Sequence, residues 1–503
     1  MTKRYLLLLF FLLSFLRTNI SYGQNMDTLN YAKELRDIGE RGKSINLLKT
    51  YYGNHKKELY AGWFFADALF KNKEYDKASR IYNETIRNHP KNIDLRLDYA
   101  IKSTEIGMFR EALFHLNKMN YKIPKDYKFA VKKTLAKIYF WQGKYKRSLS
   151  NIKAALSIYE NDQESLKLRK EISKIQSNWM RIDASYTDNN QPLTIMSPNI
   201  EMGFYHNSAL SSKFEINSSF YSKDYKMYYG GGLTGALIYH LLNYKTTLEL
   251  GVGLIGLPSN TYNIAASLLL KKKIFKHTEF IASYNYTPYL STIASIDKKV
   301  MQNILGVSLE RNNTSSWMGK ISFDTHNFPS IENSYYALST WIVSPNIKLS
   351  QFSFRIGYGF NYSDSKNNSF NSKLSLKELL SMQDTAVIIK GVYDPFFSPQ
   401  NQKIHSVVGM ISYQPTKSIN VGININYGVK ASADTPYLFL DNNENSGLYI
   451  KRDYFDRDFN PVEVNGYLSY QLDDFASVKA YYKYQKTTYY TSYITGLTTK
   501  FLF

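Results

Sequence analysis

The chain has 503 residues, a net charge of +21 and a mean hydropathy of −0.38. A mean hydropathy this low excludes a protein built from many membrane-spanning helices, and the length allows two or three domains. The chain contains no cysteine, which excludes disulfide bonds, thiolate metal ligands and a lipid-modified cysteine anchor.

The first 23 residues have the pattern of a cleaved secretory signal. A cationic start precedes an apolar run over residues 5–16, and Ser21 and Gly23 then supply small side chains at −3 and −1 of a cut before Gln24. This run is too short to span a bilayer, which takes about 20 residues. We therefore predict an exported protein that begins near Gln24, with an N-terminal anchor helix as the alternative.

Residues 24–178 have a helical repeat with a period of 34 residues. Small residues recur at this spacing at two places in each unit: Ala32, Ala66 and Ala100 at one, Ser44, Ala78 and Ala112 at the other. A fourth unit follows after a slip of two residues, with Ala136 at the first place, Ser148 at the second and Gly143 between them. Small residues let two antiparallel helices approach closely, so the pattern predicts four stacked helix pairs.

The unit at 68–92, ALFKNKEYDKASRIYNETIRNHPKN, carries Tyr75, Ala78, Tyr82 and Pro90 near the consensus places of tetratricopeptide repeats. Residues 24–178 resemble that family, and the proline is placed to end the second helix. The resemblance implies a concave surface whose usual role is to hold a partner.

The repeat region carries most of the positive charge. Residues 1–178 contain 34 Lys and Arg against 18 Asp and Glu, and residues 24–178 keep an excess of 13 positive charges. A basic body attracts polyanions or anionic membrane surfaces, although charge kept for solubility is the alternative. Because the predicted signal exports the chain, we expect no nucleic acid partner.

After Trp179 the period changes from 3.6 to 2. The stretches YKTTLELGVGL (244–254), FSFRIGYGFNY (352–362), NVGININYGVK (420–430) and ASVKAYYKYQ (476–485) alternate large apolar with small or polar residues. The segments run about nine to fifteen residues, longer than the five or six of most soluble strands. We predict an antiparallel transmembrane β-barrel of about 16 strands, with lipid outside and water inside; a soluble two-sheet sandwich is the alternative.

Strand parity predicts an orientation. Both termini of an even-stranded barrel lie on one side, here the periplasmic side, so the short links 473–475 and 414–417 become periplasmic turns. The long link 429–461 becomes an outer loop or lid. The apparent helix at 372–382 falls on the periplasmic side in this count, either as an insertion or because a strand is miscounted. The terminal Phe503 resembles the aromatic end that the barrel assembly machinery reads in bacterial outer-membrane barrels.

The predicted organisation is therefore a signal peptide (1–23), a TPR-like helical domain (24–178) and an outer-membrane barrel (179–503), which is an α+β protein in two domains. We expect the barrel to contact outer-membrane lipid and the helical domain to lie in the periplasm.

Repeats followed by a barrel resemble the exopolysaccharide exporters, such as cellulose synthase operon protein C, and the YaiO-type barrels. That family carries an aromatic-Ser-Pro-Gln stretch late in its barrel. The stretch YDPFFSPQN (393–401) matches it with Phe397, Ser398, Pro399 and Gln400, and with Tyr393 upstream. Four repeats are fewer than the cellulose exporter has, so the resemblance points to the shorter YaiO type.

The resemblance implies a passive conduit in the export or maturation of a surface polysaccharide. Charged residues on the inward parity are predicted to line the lumen: Lys245, Glu249, Arg355, Glu463, Lys479 and Lys483. Their signs offset, so no strong ion preference follows. The basic repeats would gather an anionic polysaccharide or periplasmic polysaccharide-synthesis proteins. A non-conducting outer-membrane anchor for periplasmic partners is the alternative function.

Signals for catalysis are few. The eight histidines form no zinc-ligand spacing, and GGGLTG (230–235) lacks the lysine of a P-loop, so we expect no metal, no cofactor and no enzymatic activity. The pair His206 and Ser208, with Asn217 on the next strand, resembles the catalytic set of outer-membrane phospholipases, in which histidine deprotonates serine. A hairpin turn explains the same residues, and a lipid hydrolase remains a second alternative.

Overall fold

The computed structural model describes residues 24–119, 123–190, 193–223, 226–257, 261–381, 389–443 and 447–503. The predicted signal at 1–23 lies outside these residues. The chain separates into two compact units between Ile172 and Ser173. No helix in the described ranges is both long and apolar enough to cross a membrane.

The helical unit is a series of antiparallel helix pairs, which confirms the helical-repeat prediction. Its described residues form α1 (Gln24–Asp37), α2 (Arg41–Asn54), α3 (Leu59–Lys71), α4 (Tyr75–Asn88), α5 (Ile93–Glu105), α6 (Phe109–Asn117), α7 (Lys125–Trp141) and α8 (Tyr145–Leu156). A ninth helix, α9 (Gln163–Gln176), runs past the division between the units.

Small residues hold each pair together, as the period of 34 predicts. Ala66 and Ala100 are fully buried. Ser44 Oγ donates to the Ala32 carbonyl at 2.6 Å, and Ser148 Oγ donates to the Ala136 carbonyl at 2.7 Å in the fourth pair. A larger side chain at these places would push the two helices apart, because interiors are close-packed.

The turn between the two helices of each pair needs a left-handed residue. Gly39, Gly107 and Gly143 fill this place with φ of 93°, 81° and 68°. In the second pair Lys73 takes the same place with φ of 65°. A non-glycine residue is uncommon in this conformation, so the turn geometry is imposed by the repeat rather than by Lys73 itself.

The second unit is built from strands, whose bounds are β1 (Trp179–Asn189), β2 (Leu193–Asn207), β3 (Leu210–Lys223), β4 (Lys226–Leu241), β5 (Thr246–Leu257), β6 (Thr261–Phe275), β7 (Thr278–Pro288), β8 (Met301–Arg311), β9 (Met318–Phe328), β10 (Asn333–Val343), β11 (Ile347–Leu349), β12 (Phe352–Ser365), β13 (Phe370–Ser372), β14 (Gly391–Tyr393), β15 (Gln402–Tyr413), β16 (Ile419–Asn443), β17 (Gly447–Asp458), β18 (Val462–Gln471), β19 (Ala476–Lys486) and β20 (Thr491–Leu502). Two short helices interrupt them, α10 (Ile293–Asp297) and α11 (Leu376–Ser381).

Sixteen of these strands form a closed antiparallel barrel, as predicted. Each pairs with its neighbour in the chain order β1 to β10, β12, β15, β16, β18, β19 and β20. The first and last strands close the ring, from Trp179 opposite Leu502 to Asn189 opposite Ser492. Closure leaves no strand edge without a hydrogen-bonding partner, which a hydrocarbon surround requires. The soluble-sandwich alternative is therefore wrong.

The barrel has two unlike ends. The terminal end is where β1 begins and β20 finishes, and its links are short; they include 414–418 and 472–475, which were predicted to lie there. The distal end carries the long links 289–300, 366–401 and 428–461. The short helix α11 lies in the link 366–401 and so at the distal end.

The described residues of the 372–382 segment lie at the end opposite the chain termini, so the insertion alternative is wrong and the miscounted strand remains. In the same link, β14 pairs with β13 in a separate two-stranded sheet and adds no strand to the wall. The link from β12 to β15 is one long distal connection.

The strand β16 is longer than a barrel wall needs. Its first part, up to Tyr427, pairs with β18 in the wall, and its second part, from Ser432 to Asn443, pairs with β17. We call residues 432–443 with 447–458 the outer hairpin. It continues the wall beyond the distal end of the barrel.

Candidate functional site: the barrel lumen

The outer surface of the barrel is a band of exposed apolar side chains. Val252 and Ile356 are 63% and 61% exposed although they lie within strands. Aromatic side chains project outward near both ends, with Tyr186, Tyr229, Tyr262, Tyr336 and Tyr427 at the distal end and Tyr239, Phe275, Phe352, Tyr470 and Phe501 at the terminal end. An apolar band between two aromatic girdles is the surface of an outer-membrane barrel, which confirms the predicted outward parity.

The inner face carries charges that pair across strands. Lys213 on β3 reaches over β4 to Glu249 on β5, with 2.6 Å between Nζ and Oε1, and lies 3.6 Å from Glu201. Arg181 on β1 contacts the same Glu201 at 2.5 Å. Beside this group is a cavity of about 300 Å³, whose wall includes Gly251, Ser267 and Asn285. Glu215 also lines this cavity, so the inner wall at this level is polar, lined by several small residues, and most of its charges are paired.

Several predicted lumen residues occupy inward positions. Lys483 on β19 pairs with Glu463 on β18 at 3.0 Å; Lys483 is directly opposite Asn465, two residues along β18 from Glu463. The Lys479 ammonium lies 5.0 Å from the centre of the Tyr467 ring. Glu249 belongs to the cross-strand group already described.

Arg355 also points inward, but its guanidinium is used to hold a link. It donates to four backbone carbonyls near the terminal end: Asn313 at 3.2 Å, Thr314 at 2.8 Å, Ser316 at 3.2 Å and Ser344 at 2.8 Å. A planar guanidinium with five N–H donors suits such a set of acceptors. Arg355 therefore fixes the link between β8 and β9.

The placement predicted for Lys245 is wrong. A single turn of 3-10 helix at Leu242–Tyr244 ends in Lys245, whose φ is +50°, and β5 starts only at Thr246. Lys245 is exposed in this turn at the terminal end. The alternation simply continues through the turn residues, so the sequence pattern does not mark where the strand begins.

The distal end of the lumen is filled by an aromatic cluster. Phe328 at the end of β9 stacks on Phe396 of the link 366–401 with ring centres 4.2 Å apart, and both are fully buried. The Tyr289 ring meets the Phe328 ring edge-on, and the Tyr335 ring is tilted against it. Val300 packs into the same cluster. We call these five residues the distal core. Phe328 and Tyr335 belong to the inward parity, so this core lies within the mouth of the barrel.

Polar contacts tie the two inward-folded links to each other. Thr292 caps α10 and its hydroxyl also donates to the Pro395 carbonyl. Lys298 of the link 289–300 pairs with Asp394 at 2.7 Å. The helix α10 is anchored on the opposite side, where Ile296 packs against Leu193 and other inward residues of β2 to β4. The two links therefore form one packed body across the distal mouth.

The predicted family motif lies inside this body. Phe397 packs against Tyr490, and Tyr393 packs edge-on against Tyr489 of the turn between β19 and β20. Ser398 is fully buried, and its Oγ accepts from the Ser369 amide at 2.8 Å.

Gln400 extends the same set of contacts, because its side chain donates to the Ser365 carbonyl at 2.9 Å. Pro399 lies between Ser398 and Gln400. The motif thus builds a loop that packs into the mouth.

The outer hairpin holds this loop through one residue that the sequence did not single out. The Arg452 guanidinium donates to the Asn368 carbonyl at 2.9 Å, to the Phe370 carbonyl at 2.9 and 2.5 Å, and to the Asn371 side chain at 2.8 Å. A β-bridge between Ile389 and Leu438 joins the same two segments. The closed mouth and the outer hairpin are therefore connected.

The residues of the predicted hydrolase set are placed as follows. His206 Nε2 lies 2.8 Å from Ser212 Oγ on the next strand, while Ser208 is in the turn between β2 and β3. Asn217 pairs in register with Asn199, further along β3. Across the described ranges, no three His, Asp or Glu side chains are grouped to hold a metal ion.

The terminal Phe503 remains outward and 63% exposed, and its amide donates to the Asn178 carbonyl at 2.9 Å. This contact joins the last residue to the segment that leads into β1. The chain end is therefore part of the barrel seam.

The helical unit neutralises part of its charge internally. Asp67 lies among Arg36, Lys102 and Lys71, at 2.8, 3.1 and 3.1 Å. Burial of Asp67 favours the neutral acid, but the two lysines outweigh burial and hold the pKa of Asp67 below its usual value. The carboxylate is therefore ionised at neutral pH.

A closed barrel of sixteen antiparallel strands with an apolar outer band and aromatic girdles, preceded by stacked helix pairs, defines an outer-membrane-type barrel protein with a helical repeat domain. No protein-family model matches the chain, and no curated protein matches it.

Solved structures do match. One is a bacterial polysaccharide outer membrane secretin, at 8% identity and a TM-score of 0.46, over 65% of this chain and 99% of that one. The helical part is similar to MamA from Desulfovibrio magneticus RS-1, at 13% identity and a TM-score of 0.26, over 30% of this chain and 81% of that one. Likeness at these levels says nothing about what the chain binds or transports.

Proposed function

We propose that this protein resides in the bacterial outer membrane and takes part in the export or maturation of a surface polysaccharide, with its helical repeats in the periplasm. The observation that carries the proposal is the inner wall of the barrel, where Asn, Ser, Gly and Tyr are interspersed with charges that are mostly paired. Such a wall exchanges hydrogen bonds with sugar hydroxyls without holding ions strongly.

In this proposal the chain performs no chemical step and needs no cofactor. The amides of Asn361, Asn424 and Asn465 lie on inward positions of three different strands. Asn465 donates to Glu463 and Asn361 accepts from Ser339, and an amide has two N–H donors and an oxygen with two lone pairs, so each keeps capacity for a sugar hydroxyl. The wall supplies a path, and the driving force comes from polymer synthesis or a periplasmic partner.

The helical repeats would supply the docking surface for that partner. The excess of 13 positive charges on residues 24–178 favours an acidic partner, either an anionic polysaccharide or a polysaccharide-synthesis protein. The repeats would then recruit the polymer or its synthesis proteins to the barrel protein.

In this proposal, the resting state of the barrel is the one with the distal mouth closed. Phe328 and Phe396 exclude water from the mouth, and Arg452 fixes the loop that carries Phe396. Passage therefore requires the links 289–300 and 366–401 to move. The same closure favours a second candidate function, a non-conducting anchor for the helical repeats.

Conductance separates the two candidates. We expect the reconstituted full chain to conduct little in a planar bilayer, and Arg452→Ala to conduct more, because the four donated hydrogen bonds to the loop are lost. Charged hydrogen bonds are worth about 1.5–3 kcal/mol, so closure should weaken measurably. Arg457→Ala is the matched control, since it removes an exposed arginine from the same hairpin.

The cellular test is deletion of the gene followed by staining of surface polysaccharide. Loss of the polymer, restored by the full chain, supports the export proposal. An unchanged polymer layer, together with no conductance from either the Arg452→Ala variant or a separate variant that lacks residues 441–460, would replace the export proposal with the anchor.

A further inference from the structure

One sector of the inner wall presents aromatic rings rather than small residues. Tyr467 on β18 and Tyr481 on β19 are directly opposite each other in register. On their outer flanks they pair with Gly422 of β16 and Gly496 of β20. The four residues form one row across four adjacent strands near the seam of the barrel.

The two tyrosine rings lie flat over these glycines. A Cβ added at Gly422 would fall 2.3 Å from the Tyr467 ring, and one at Gly496 would fall 2.2 Å from the Tyr481 ring. No other residue type leaves room for a ring this close to the wall. Each ring therefore has one face against the backbone and the other directed at the lumen.

Hydrogen bonds fix the rings in this position. The Tyr481 hydroxyl donates to Asp183 at 3.2 Å, and Asn420 donates to the Tyr467 hydroxyl at 3.4 Å. Asp183 also accepts from Thr498. The wall satisfies the polar atoms, so the lumen side of each ring is left for apolar and cation contacts; on Tyr467 the Lys479 ammonium lies over the ring. A sugar that packs there would draw this ammonium from the ring to its own carboxylate.

A third ring continues the row toward the terminal end. Trp179 opens β1 and lies on the inward parity, opposite Leu502 of β20, whereas Tyr481 lies opposite Gly496. The six residue steps between these two positions of β20 span about 20 Å at the usual rise along a strand. The rings thus extend over a length of wall rather than a single point.

Cations accompany the rings. Lys479 lies 5.0 Å from the Tyr467 ring centre, and Lys500 lies 5.2 Å from that of Trp179. Within the described part of the chain neither lysine forms an ion pair. By contrast, Lys483 is paired with Glu463 in the same sector.

The inward charge of this sector is positive. On the inner faces of β18, β19, β20 and β1 there are four cations, Arg181, Lys479, Lys483 and Lys500, against two carboxylates, Asp183 and Glu463. Arg181 is taken by Glu201 and Lys483 by Glu463. The ammonium groups of Lys479 and Lys500 therefore remain for a ligand, and each lies over an aromatic ring.

We propose that this sector is a binding track for a polysaccharide whose sugars carry carboxylates, of the uronic acid type. The apolar C–H face of a sugar packs on a flat aromatic ring, and a carboxylate on that sugar pairs with the neighbouring ammonium. The proposal rests on the proposed function and narrows its substrate to acidic polymers. A neutral polymer would use the rings but leave both lysines unpaired.

Calorimetry on the detergent-solubilised full chain tests the track, with a galacturonic acid hexamer and a cellulose-type glucose hexamer as probes. Arg452→Ala is measured in parallel so that a closed mouth does not hide the site. We expect the acidic hexamer to bind at least tenfold more tightly than the neutral one at low salt. The double variant Lys479→Gln, Lys500→Gln should remove that preference and leave neutral binding unchanged.

Two further variants separate the ring from the charge. Tyr467→Leu should weaken both hexamers because the ring face is lost. Lys271→Gln, an inward lysine of β6 opposite Thr247 and Ile281, is the matched control and should change neither. Far-ultraviolet circular dichroism and the heat-dependent shift of the folded barrel on gels check that each variant is folded.

The proposal is overturned if the lysine double variant binds the acidic hexamer as tightly as the parent chain, or if both hexamers bind equally. Failure here is distinct from failure of the proposed function. A chain that binds no acidic sugar but whose deletion still removes the surface polymer exports a neutral polymer, and only the track is wrong.

Discussion

The two ends of the barrel lumen follow the same alternation and enclose different interiors. At the distal end inward residues such as Phe328 and Tyr335 meet packed protein from two links. At the terminal end inward residues such as Lys213 and Glu249 meet one another across strands. Alternation therefore specifies which side chains face away from the lipid, but not whether those side chains contact water or a protein core.

The largest expected effect comes from opening the distal core. Phe396→Ala removes a fully buried ring stacked at 4.2 Å on Phe328, at a cost of about 3–5 kcal/mol. The link 366–401 should then exchange its amide hydrogens faster and the barrel should conduct. Hydrogen exchange by mass spectrometry and planar-bilayer recording measure the two outcomes.

The matched control for this change is Phe323→Ala, on the same strand β9 but outward and largely exposed. It should leave exchange in the link and conductance unchanged. Equal conductance of both variants would mean that the distal core does not close the mouth.

A pair of identical substitutions compares the two ends directly. Ser398→Ala leaves the Ser369 amide without its acceptor in a fully buried place, which costs about 1–3 kcal/mol. Ser353→Ala removes a 2.6 Å contact with Ser412 at the terminal end, where both side chains are half-buried. Water can replace that contact, so we expect about 0.5 kcal/mol or less.

Urea titration of the refolded barrel, with hydrogen exchange of the link 366–401, measures both serine variants. Similar losses at the two positions would show that the terminal end is as dry as the distal one, and the comparison between the ends would fail.

The smallest expected effect concerns ion preference at the terminal end. Lys213→Gln leaves Glu249 and Glu201 with less compensation, so the lumen should favour cations. Introduced into the Arg452→Ala chain, the change should move the reversal potential in a KCl gradient toward that of K⁺. The expected change in the interaction energy between the lumen and a cation is less than about 1 kcal/mol, which is the interaction energy of two unit charges about 4 Å apart in water. Lys272→Gln, an exposed lysine on the outward parity of β6, should have no effect.

Much of this architecture follows from local patterns. A period of 34 places Ala66 and Ala100 in the helix contacts, and a period of 2 places Ile356 outside and Glu249 inside. These predictions succeed because one physical requirement, close helix packing or a lipid-facing side, repeats along the chain and leaves a countable signal.

The predictions that failed depend on where regular structure stops. Lys245 continues the alternation of β5 but lies in a left-handed turn, and the 372–382 segment, counted to the side of the chain termini, lies in a distal link. An alternation of period 2 shows neither where a strand begins nor which strand it pairs with.

The closure of the mouth was harder still to predict. Arg452 holds backbone carbonyls more than 80 residues earlier in the chain, and a backbone acceptor has no sequence signature. One signal was available: Phe328 and Tyr335 are large aromatic residues on the parity that should face water. Aromatic residues on that parity indicate a lumen with something packed inside it.

The uninterrupted course of β16 has a mechanical consequence. The same backbone runs from Ile419 at the terminal rim of the barrel to Asn443 near the tip of the outer hairpin. Ladders of backbone hydrogen bonds hold this strand on both sides up to Tyr427 and on the β17 side from Ser432 onward. Tension applied to the outer hairpin would therefore reach the barrel wall along one backbone, and would reach the link 366–401 through Arg452.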